Sequence, residues 1–416
     1  MVLERTDVLV IGAGPAGLSA ALELKHLGVR DVMVVDREAE AGGIPRLCHH
    51  TGFGLRDLRR VCSGPAYARA YTRQAAGHGI EIHTATTVTG WQGSGSVAYT
   101  GSRGLGHIES RAILLATGCR ERPRPARLVA GTRPQGIFTT GSLQRFVDEY
   151  DLPVGKRAVI VGAELVSLSA LMTLAQAGVY VVMMVTKLQA HQIHFPFTPL
   201  KWLMMHTVTR TPLRTSSRVR RILGLKRVEG VEVSRLDTGE TDTIACDTVV
   251  FTGDWIPEHE LARLGGLALD SGTGGPQVDD RFRTSERGVF AAGNLLRGAE
   301  TADISALEGK KAASTIYTFL DGGLWPERAL ELQVAPPIKW VVPNSISFPT
   351  QQPTSSHFSF RVSKFERNVY LLVSQGDRTL YTRPFRRLMP NRSVRFASHW
   401  VSTVDPEGMP IMVTLA

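Results

Sequence analysis

The sequence predicts an α/β protein with two Rossmann-like dinucleotide-binding domains, the second inserted in the first, and a small β-rich module near the C-terminus. The first observation is a strand, a glycine-rich turn, a helix and a second strand around Gly12–Asp36. The same arrangement returns around Gly162–Thr186, with the same interval of 24 residues. Two later strand-then-glycine segments, 112–124 and 288–313, indicate that the chain re-enters the first domain.

The composition is that of an ordinary folded protein. Of its 416 residues 43% are hydrophobic, which is enough for two or three domains. The four cysteines form no C-x-x-C pair, so the spacing needed for a disulfide framework, a zinc site or an iron–sulfur centre is lacking and no metal site is expected. The net charge of +10 favours an acidic or phosphate-bearing partner, whereas scattered arginines without interleaved aromatic residues argue against nucleic acid.

No targeting or membrane segment is expected. The chain runs directly into a strand, without the basic, apolar and small-residue regions of a secretion signal. The most apolar later stretch, Leu168–Val185, is interrupted by Gln176, Gly178 and Tyr180 and predicts a helix and a buried strand, not a transmembrane segment. These features predict a cytoplasmic protein.

The first glycine turn contains every part of a dinucleotide fingerprint. Gly12 permits the tight turn, Gly14 lets the backbone approach a pyrophosphate, and Gly17 lets the helix pack closely on the strand. Asp36 ends the second strand, where it is placed to accept hydrogen bonds from an adenosine ribose. The candidate site also takes in three neighbours of these residues: Pro15, Ala16 and Arg37.

Three later segments show which dinucleotide is bound. They are "AGGIPR" at 41–46, "ATG" at 116–118 and "AGN" at 292–294. With them the sequence resembles the two-dinucleotide-binding-domain flavoproteins of the pyridine nucleotide–disulfide oxidoreductase superfamily. The resemblance implies that the first turn holds FAD and that the later segments contact the flavin and its ribityl chain. The positions that match the family are Ala116, Thr117, Gly118, Ala292, Gly293 and Asn294, and the further candidate residues are Gly42, Gly43, Arg46 and Val88.

Two of these later residues carry specific expectations. Asn294 stands where the family usually has aspartate, and its amide oxygen is still able to accept a ribityl hydroxyl. Arg46 would place a cation near the flavin, although an arginine in a glycine loop is often only a surface ion-pair partner. Thr301, Ala302 and Asp303 would open a helix whose N-terminus points at the flavin pyrimidine, where partial positive charge favours the reduced anion.

The second glycine turn departs from the fingerprint at three positions. Glu164 replaces the middle glycine, Ser167 the third, and Thr186 the ribose-binding acid. A carboxylate about 5 Å from a pyrophosphate costs on the order of 3 kcal/mol at an effective dielectric constant near 20, which weakens binding about a hundredfold. NAD(P) is therefore doubtful, though Thr186 followed by Lys187 would suit a phosphorylated ribose.

A closer resemblance concerns the stretch from Gly42 through Gly64, Pro65 and Tyr67. It is similar to the FAD subunits of heteromeric amine and opine-type dehydrogenases: hydrogen cyanide synthase, opine oxidase, D-hydroxyproline dehydrogenase and, more distantly, sarcosine oxidase. The resemblance implies a hetero-oligomer in which a separate flavin subunit oxidises a carbon–nitrogen bond and an iron–sulfur centre carries electrons onward. Because residues 320–416 contain no cysteine, that centre would come from a separate small protein.

The sequence predicts three domain-like parts. Residues 1–120 and 246–325 form the FAD-binding domain, 121–245 the inserted and degenerate NAD(P)-binding-like domain, and 326–416 a proline-bearing linker with a basic β-rich module. Nine arginines and lysines lie between 361 and 400, against two carboxylates. Such a face usually serves solubility, and as a hypothesis it docks an acidic electron-transfer partner through Arg386 and Arg387.

Three functions remain open at this point. The leading one is an FAD-dependent subunit that relays electrons between a substrate-oxidising partner and an acceptor. The competitor is a self-contained NAD(P)H-dependent flavin reductase of the thioredoxin or ferredoxin reductase type, and the third is a scaffold with a structural flavin. No catalytic acid or base is assigned. A lone thiol such as Cys48 is more often a buried apolar residue than a redox centre, and His49 and His50 are as consistent with incidental loop residues as with proton carriers.

Overall fold

The computed structural model describes residues 2–195, 197–348 and 357–416. Their contacts divide the chain into two compact units. The first unit contains residues up to 46, residues 51–119 and the chain from 257 onward, and the second contains 47–50 and 120–256. None of the described helices is both long enough and apolar enough to cross a membrane.

The first part of the first unit is built on the central strand of a mostly parallel sheet. Residues Val8–Ile11 are a buried apolar run, as expected for a strand covered on both faces. The elements in this part are β1 (Val2–Ile11), α1 (Pro15–His26), β2 (Val32–Val35), β3 (Thr51–Phe53), β4 (Cys62–Ser63), α2 (Gly64–Gly77), β5 (Glu81–His83), β6 (Thr87–Trp91), β7 (Ser96–Gly101) and β8 (Gly104–Leu115).

The second unit has its own parallel sheet and a smaller antiparallel one. Its elements are β9 (Cys119–Glu121), β10 (Ala130–Gly131), β11 (Ile137–Thr139), α3 (Thr140–Gln144), β12 (Arg157–Val161), α4 (Leu165–Gln176), β13 (Tyr180–Val185), α5 (Thr198–Trp202), β14 (Leu213–Arg214), β15 (Ser217–Leu223), β16 (Gly230–Arg235), β17 (Thr241–Ala245), β18 (Thr248–Phe251) and β19 (Trp255–Pro257). The parallel sheet has the order β11-β18-β12-β13-β14, and the antiparallel strands β15, β16 and β17 follow one another, with β10 at their edge.

The chain then returns to the first sheet and ends in the β-rich module. The returning elements are α6 (Glu260–Leu264), β20 (Val289–Ala291) and α7 (Ala302–Leu320). The first sheet has the order β5-β2-β1-β8-β7-β6, with β20 parallel to β8. The module contains β21 (Arg328–Val334), β22 (Ile338–Val342), β23 (Ser345–Phe348), β24 (His357–Val362), β25 (Glu366–Gln375), β26 (Arg378–Leu388), β27 (Val394–Ala397) and β28 (Ile411–Leu415).

The fold class is therefore the expected one: two Rossmann-like domains, the second inserted in the first, with a β-rich C-terminal module. Two expected boundaries need correction. Residues 246–251 were assigned to the FAD-binding domain, but β18 pairs with β11 and β12 inside the second unit. A buried apolar strand leaves no sequence signal of which of two parallel sheets it joins.

The expected linker is also structured over much of its length. The prolines suggested an extended connection, yet β21, β22 and β23 all lie within 328–348 and belong to the module's two sheets. Pro336, Pro337 and Pro343 fall between these strands, where a missing amide hydrogen does not interrupt a ladder. The rest of the expected linker, 349–356, lies outside the described residues.

The module has its own aromatic core and is tied to the FAD domain in the same unit. Phe358, Phe396 and Trp400 are buried, with ring centroids 5.1–6.4 Å apart. The Asn344 amide donates to the Val278 carbonyl at 2.9 Å, and the Val278 amide donates back to Asn344 Oδ1 at 3.1 Å. These reciprocal bonds fix the module's first strands to the FAD domain.

Helices α1 and α7 cross in close backbone contact. A Cβ added at Gly309 would lie 2.0 Å from the Ala16 carbonyl oxygen, too close for any side chain. This contact brings the start of α1, which follows the first glycine turn, against the body of α7. The contact therefore depends on a glycine in the middle of a 19-residue helix.

We expect Gly309→Ala to destabilise the protein although alanine is the better helix former. The methyl group forces the two helices apart, which costs about 1–3 kcal/mol, more than the ~1 kcal/mol gained in helix propensity. Urea unfolding of the FAD-saturated protein measures the difference. Gly77→Ala in α2 is the matched control, because a Cβ there meets nothing within 4 Å; equal stability of the two variants would contradict the close-contact argument.

Candidate functional site

The first glycine turn lies at the carboxyl end of β1, where parallel strands of the sheet also end. Gly12 has φ +113°, and a Cβ on it would lie 2.4 Å from the Ala116 carbonyl oxygen. A Cβ on Gly17 would lie 1.9 Å from the Gly12 carbonyl oxygen. Both glycines are thus required by close approach of backbone to backbone.

Gly14 differs from its two neighbours because its side-chain direction is open. A Cβ there would meet only the Gly43 Cα, at 4.0 Å. Pro15 follows as the first residue of α1, and the N-cap residue is Gly14 itself, which has no side chain with which to cap the helix. The free amides of a helix N-terminus next to an open glycine form a cradle that fits a pyrophosphate. The residues present therefore fit the dinucleotide that the sequence predicts.

Asp36 anchors this turn to the second strand. Its Oδ2 accepts a hydrogen bond from the Ala13 amide at 2.6 Å, and Oδ1 accepts one from the Glu38 amide at 2.8 Å. Burial raises the pKa of the Asp36 carboxyl. An ionised carboxylate has about four acceptor positions, so two remain for a ribose. Arg37 is exposed, with its guanidinium 3.5 Å from Glu258.

The "AGGIPR" segment closes one side of the turn. The Gly42 amide donates to the Ala13 carbonyl at 2.8 Å, and a Cβ on Gly43 would lie 2.8 Å from the Gly14 Cα. The Arg46 guanidinium lies 3.4 Å from Glu40 and 3.9 Å from Glu38, so two carboxylates offset its charge.

The later segments reach the same edge of the first sheet. Ala116, Thr117 and Gly118 follow β8, and the Thr117 hydroxyl donates to the Glu258 carbonyl at 2.8 Å. Gly293 and Asn294 follow β20, which is parallel to β8. Val88 is buried in β6, opposite Tyr99 of β7. The predicted residues of the first turn, the "ATG" segment and the "AGN" segment thus come together at one sheet edge.

Asn294 has a structural task in this arrangement. Its Oδ1 accepts hydrogen bonds from the Glu300 amide at 3.0 Å and from the Ser305 hydroxyl at 2.9 Å. The amide oxygen therefore holds the 294–301 loop against α7. Its contact with a ribityl hydroxyl stays a prediction.

The start of α7 carries an ion pair whose cation, Arg56, sequence reasoning missed. Thr301 is the N-cap residue, Ala302 begins the helix, and Asp303 is buried one residue later. The Arg56 guanidinium contacts both Asp303 carboxylate oxygens, at 2.9 and 3.1 Å. Arg56 and Asp303 are 247 positions apart, so no local sequence pattern could have paired them.

In the second unit the corresponding turn is closed by a carboxylate. Glu164 is buried as the N-cap residue of α4, and its Oε2 accepts a hydrogen bond from the Ala163 amide at 3.0 Å. A Cβ on Gly253 would lie 2.8 Å from the Glu164 carboxyl carbon, and one on Gly162 would lie 2.9 Å from Oε2. The carboxylate occupies the space between the two glycines.

Further protein groups fill the helix start beside Glu164. The Glu164 amide donates to Ser167 Oγ at 3.1 Å, and this hydroxyl lies 2.8 Å from Thr252 Oγ1. The Gln192 amide donates to the Ala163 carbonyl at 2.8 Å, so the segment after β13 folds onto the turn. A pyrophosphate would have to displace protein acceptors from two backbone amides.

The charge around this turn also opposes a phosphate. Burial raises the pKa of the Glu121 carboxyl, and the neighbouring Glu164 charge raises it further. Thr186, at the ribose position, is buried and its hydroxyl accepts from the Leu188 amide at 3.3 Å, while Lys187 is exposed. The Glu164 carboxylate and the Thr186 hydroxyl are therefore both engaged within the domain itself.

The Cys48 segment belongs to the second unit. Burial raises the pKa of the Cys48 thiol to about 12, which favours the protonated thiol over the nucleophilic thiolate. Its Sγ lies 3.7 Å from Gln144 Oε1, and Gln144 Nε2 donates to the Ser169 hydroxyl at 2.8 Å. His50 Nε2 is 2.9 Å from the same hydroxyl, and His49 Nδ1 is 3.8 Å from Asp148. The geometry shows a hydrogen-bonded cluster.

A family profile matches residues 6–309, which include both glycine turns and the later segments. The chain belongs to the pyridine nucleotide-disulphide oxidoreductase family. It is accordingly an FAD-dependent oxidoreductase. The C-terminal module lies beyond the matched residues.

Individual relatives divide between two kinds of protein. The chain is 24% identical to a ferredoxin–NADP reductase of Ignicoccus hospitalis, over 77% of this chain and 99% of the relative. It is 27% identical to an opine oxidase subunit of Rhizobium meliloti, over 80% of this chain and 66% of that relative. The chain therefore spans about two thirds of the length of the opine oxidase relative. The thioredoxin reductase of T. acidophilum shares the fold, with a TM-score of 0.63, 23% identity and coverage of 76% and 99%.

We expect Gly14→Ala to weaken FAD binding while the protein stays folded. The added methyl group meets no protein atom closer than 4.0 Å, so it intrudes only on the ligand. Titration of the apoprotein with FAD should show at least a tenfold loss of affinity, about 1.4 kcal/mol. Gly77→Ala again serves as the control, and unchanged FAD affinity in Gly14→Ala would show that the dinucleotide binds elsewhere.

Proposed function

We propose that this chain is the FAD-carrying subunit of a heteromeric dehydrogenase for an amine, amino acid or opine. In this proposal it relays electrons between a substrate-oxidising partner and an acceptor. The single observation that carries the proposal is Glu164, whose buried carboxylate occupies the second glycine turn. A flavin in a chain that binds no nicotinamide needs another source of electrons. The similarity to an opine oxidase relative, whose name describes it as one subunit of an oxidase, supports the same conclusion.

The protein's own contribution is to hold and shield the cofactor. We propose Gly12, Gly14 and Gly17 with the start of α1 for the pyrophosphate, and Asp36 for the ribose. The "ATG" and "AGN" segments and the start of α7 are proposed for the flavin end. When bound, FAD supplies two-electron acceptor and donor chemistry. The loops around this edge are fixed by hydrogen bonds of Asn294 and of the Glu258 backbone.

The partners follow from what this chain lacks. Its four cysteines include no C-x-x-C pair, so neither a dithiol relay nor an iron–sulfur centre can be assembled from adjacent cysteines here. We therefore propose two partners in the cytoplasm, a small iron–sulfur protein and a substrate-oxidising flavin subunit. The basic residues of the module would suit an acidic electron carrier.

The competing function is a self-contained NAD(P)H-dependent flavin reductase. The alignment over 99% of a ferredoxin–NADP reductase favours it, because that relative has no large segment beyond this chain. The two functions differ in one measurable property. In the competing function NADPH reduces the flavin of the isolated chain directly.

We expect NADPH to leave the flavin band of the isolated protein unbleached in stopped-flow mixing. The Glu164 charge and its hydrogen bond to the Ala163 amide together oppose the diphosphate. Glu164→Gly should bind NADP about a hundredfold more tightly, since about 3 kcal/mol of repulsion is removed. Glu164→Gln keeps the shape of the side chain and loses its charge, so its affinity for NADP should lie between those of the wild type and Glu164→Gly. Bleaching of the wild-type flavin by NADPH within milliseconds would instead establish the reductase.

We also expect the isolated chain to oxidise no amine, amino acid or opine by itself. Substrate should reduce its FAD only in the presence of the partner flavin subunit, because that partner breaks the carbon–nitrogen bond. The measurement is anaerobic titration of the chain co-expressed with the products of its neighbouring genes, and each component by itself is the control. Substrate oxidation by this chain without any partner would contradict the relay.

A further inference from the structure

Two carboxylates flank the start of α7, the helix whose N-terminus we assign to the flavin end of the site. Glu300 immediately precedes the N-cap residue Thr301, and Asp303 lies in the first turn. Their side chains are only 11% and 6% exposed. Negative charge at a helix N-terminus offsets the partial positive charge there, which is equivalent to about half a unit charge. The charge at this helix start therefore depends on what neutralises the two carboxylates.

The charge of Asp303 is neutralised by Arg56, which lies in the connection between β3 and β4. The Arg56 guanidinium reaches both of its oxygens, at 2.9 and 3.1 Å, and the Thr301 hydroxyl also donates to it. The connection is itself fixed, because the next residue, Asp57, accepts hydrogen bonds from the hydroxyl groups of Tyr67 and Tyr71. Arg56 is nevertheless 47% exposed, so water screens part of its charge.

Glu300 is neutralised from the C-terminal module. The Arg361 guanidinium, on β24, lies 2.8 Å from Glu300 and donates to the Ala299 carbonyl at 2.6 Å. It also lies 5.2 Å from the ring centroid of Trp340 and is only 8% exposed. A second guanidinium, that of Arg297, is 3.8 Å from Glu300.

This contact continues to the flavin-side turn. The Glu300 amide donates to Asn294 Oδ1, so Arg361, Glu300 and Asn294 form one connected path from the module to the residues after β20. The neighbouring guanidinium groups hold the pKa of the Glu300 carboxyl below its usual range, so it stays ionised at neutral pH. Removing Arg361 would leave a buried, ionised carboxylate beside the helix start with only its more distant cation.

We propose that Arg361 and Arg56 are positioning residues that set the charge at the start of α7, so that the C-terminal module helps to determine the redox potential of the bound flavin. This inference rests on the proposed placement of the flavin. The module thereby acquires a role in the electron-transfer site of the first unit. Arg361 carries the larger effect because it is buried, whereas Arg56 is half exposed.

The test compares the affinity of the isolated protein for oxidised and for reduced FAD. Arg361→Gln should weaken binding of reduced FAD relative to oxidised FAD about tenfold, which corresponds to about 30 mV toward a lower potential for a two-electron couple. Arg56→Gln should shift the potential in the same direction by a smaller amount. Arg361→Lys should restore part of the loss, because it keeps the charge but not the contacts to both Glu300 and Ala299.

Charge and folding effects are separated by a double variant. Glu300→Gln alone should raise the potential, and Arg361→Gln with Glu300→Gln should return it toward the wild-type value, since both charges are gone. Damage to folding alone would not be reversed in this way. Arg378→Gln, an exposed arginine on β26 of the same module, is the matched control.

The outcomes distinguish this inference from the proposed function. If Arg361→Gln and Arg378→Gln give the same ratio of affinities while both apoproteins unfold at the wild-type urea concentration, the inference is overturned. If Gly14→Ala also leaves FAD binding unchanged, the assigned flavin site is wrong. Neither measurement involves NADPH or a partner protein, so the origin of the electrons is tested separately.

Discussion

The constraint on which this protein depends is the identity of the residue at the middle position of each glycine turn. Both units place this position between a parallel strand and a helix N-terminus. At Gly14 the space beside the backbone is open, and the free helix amides fit a phosphate group. At Glu164 a buried carboxylate fills the corresponding space and itself accepts a hydrogen bond from a backbone amide. One fold therefore leaves an open cradle in one unit and a closed helix cap in the other.

The second domain folds although its glycine turn is closed, because the other interactions of the Rossmann unit do not depend on a ligand. Helix α4 packs Leu168, Leu171 and Leu174 into a core shared with the strands on either side. Ser167 replaces a packing glycine and is accommodated because its hydroxyl finds partners in the Glu164 amide and Thr252. A domain of this kind keeps the burial that folds it whether or not a nucleotide binds.

Sequence alone predicted the local features and missed the distant ones. The two turns and the strand–helix order followed from glycine spacing and apolar runs, because these patterns are local, each turn motif spanning 25 residues. The membership of β18 in the second sheet and the strands within 328–348 depended on pairing between distant segments. Arg56 and Arg361 escaped detection for the same reason: their carboxylate partners lie 247 and 61 positions away. The contacts between these residues and the cofactor stay predictions.

The basic residues of the module fall into two groups, one buried arginine and eight residues that are wholly or partly exposed. Nothing in the residue pattern separated the nine basic residues between 361 and 400, but the structure places Arg361 inside, against Glu300 and Trp340. The others remain wholly or partly exposed, and Arg367 lies directly opposite Arg387 across the β25–β26 ladder. Like charges facing each other across two strands lower stability. The Arg387 guanidinium offsets part of this cost because it lies 5.8 Å from the ring centroid of Phe365. Docking of an acidic carrier on this face stays a hypothesis. The module therefore combines one buried cation, paired with Glu300 beside the start of α7, with an exposed basic face.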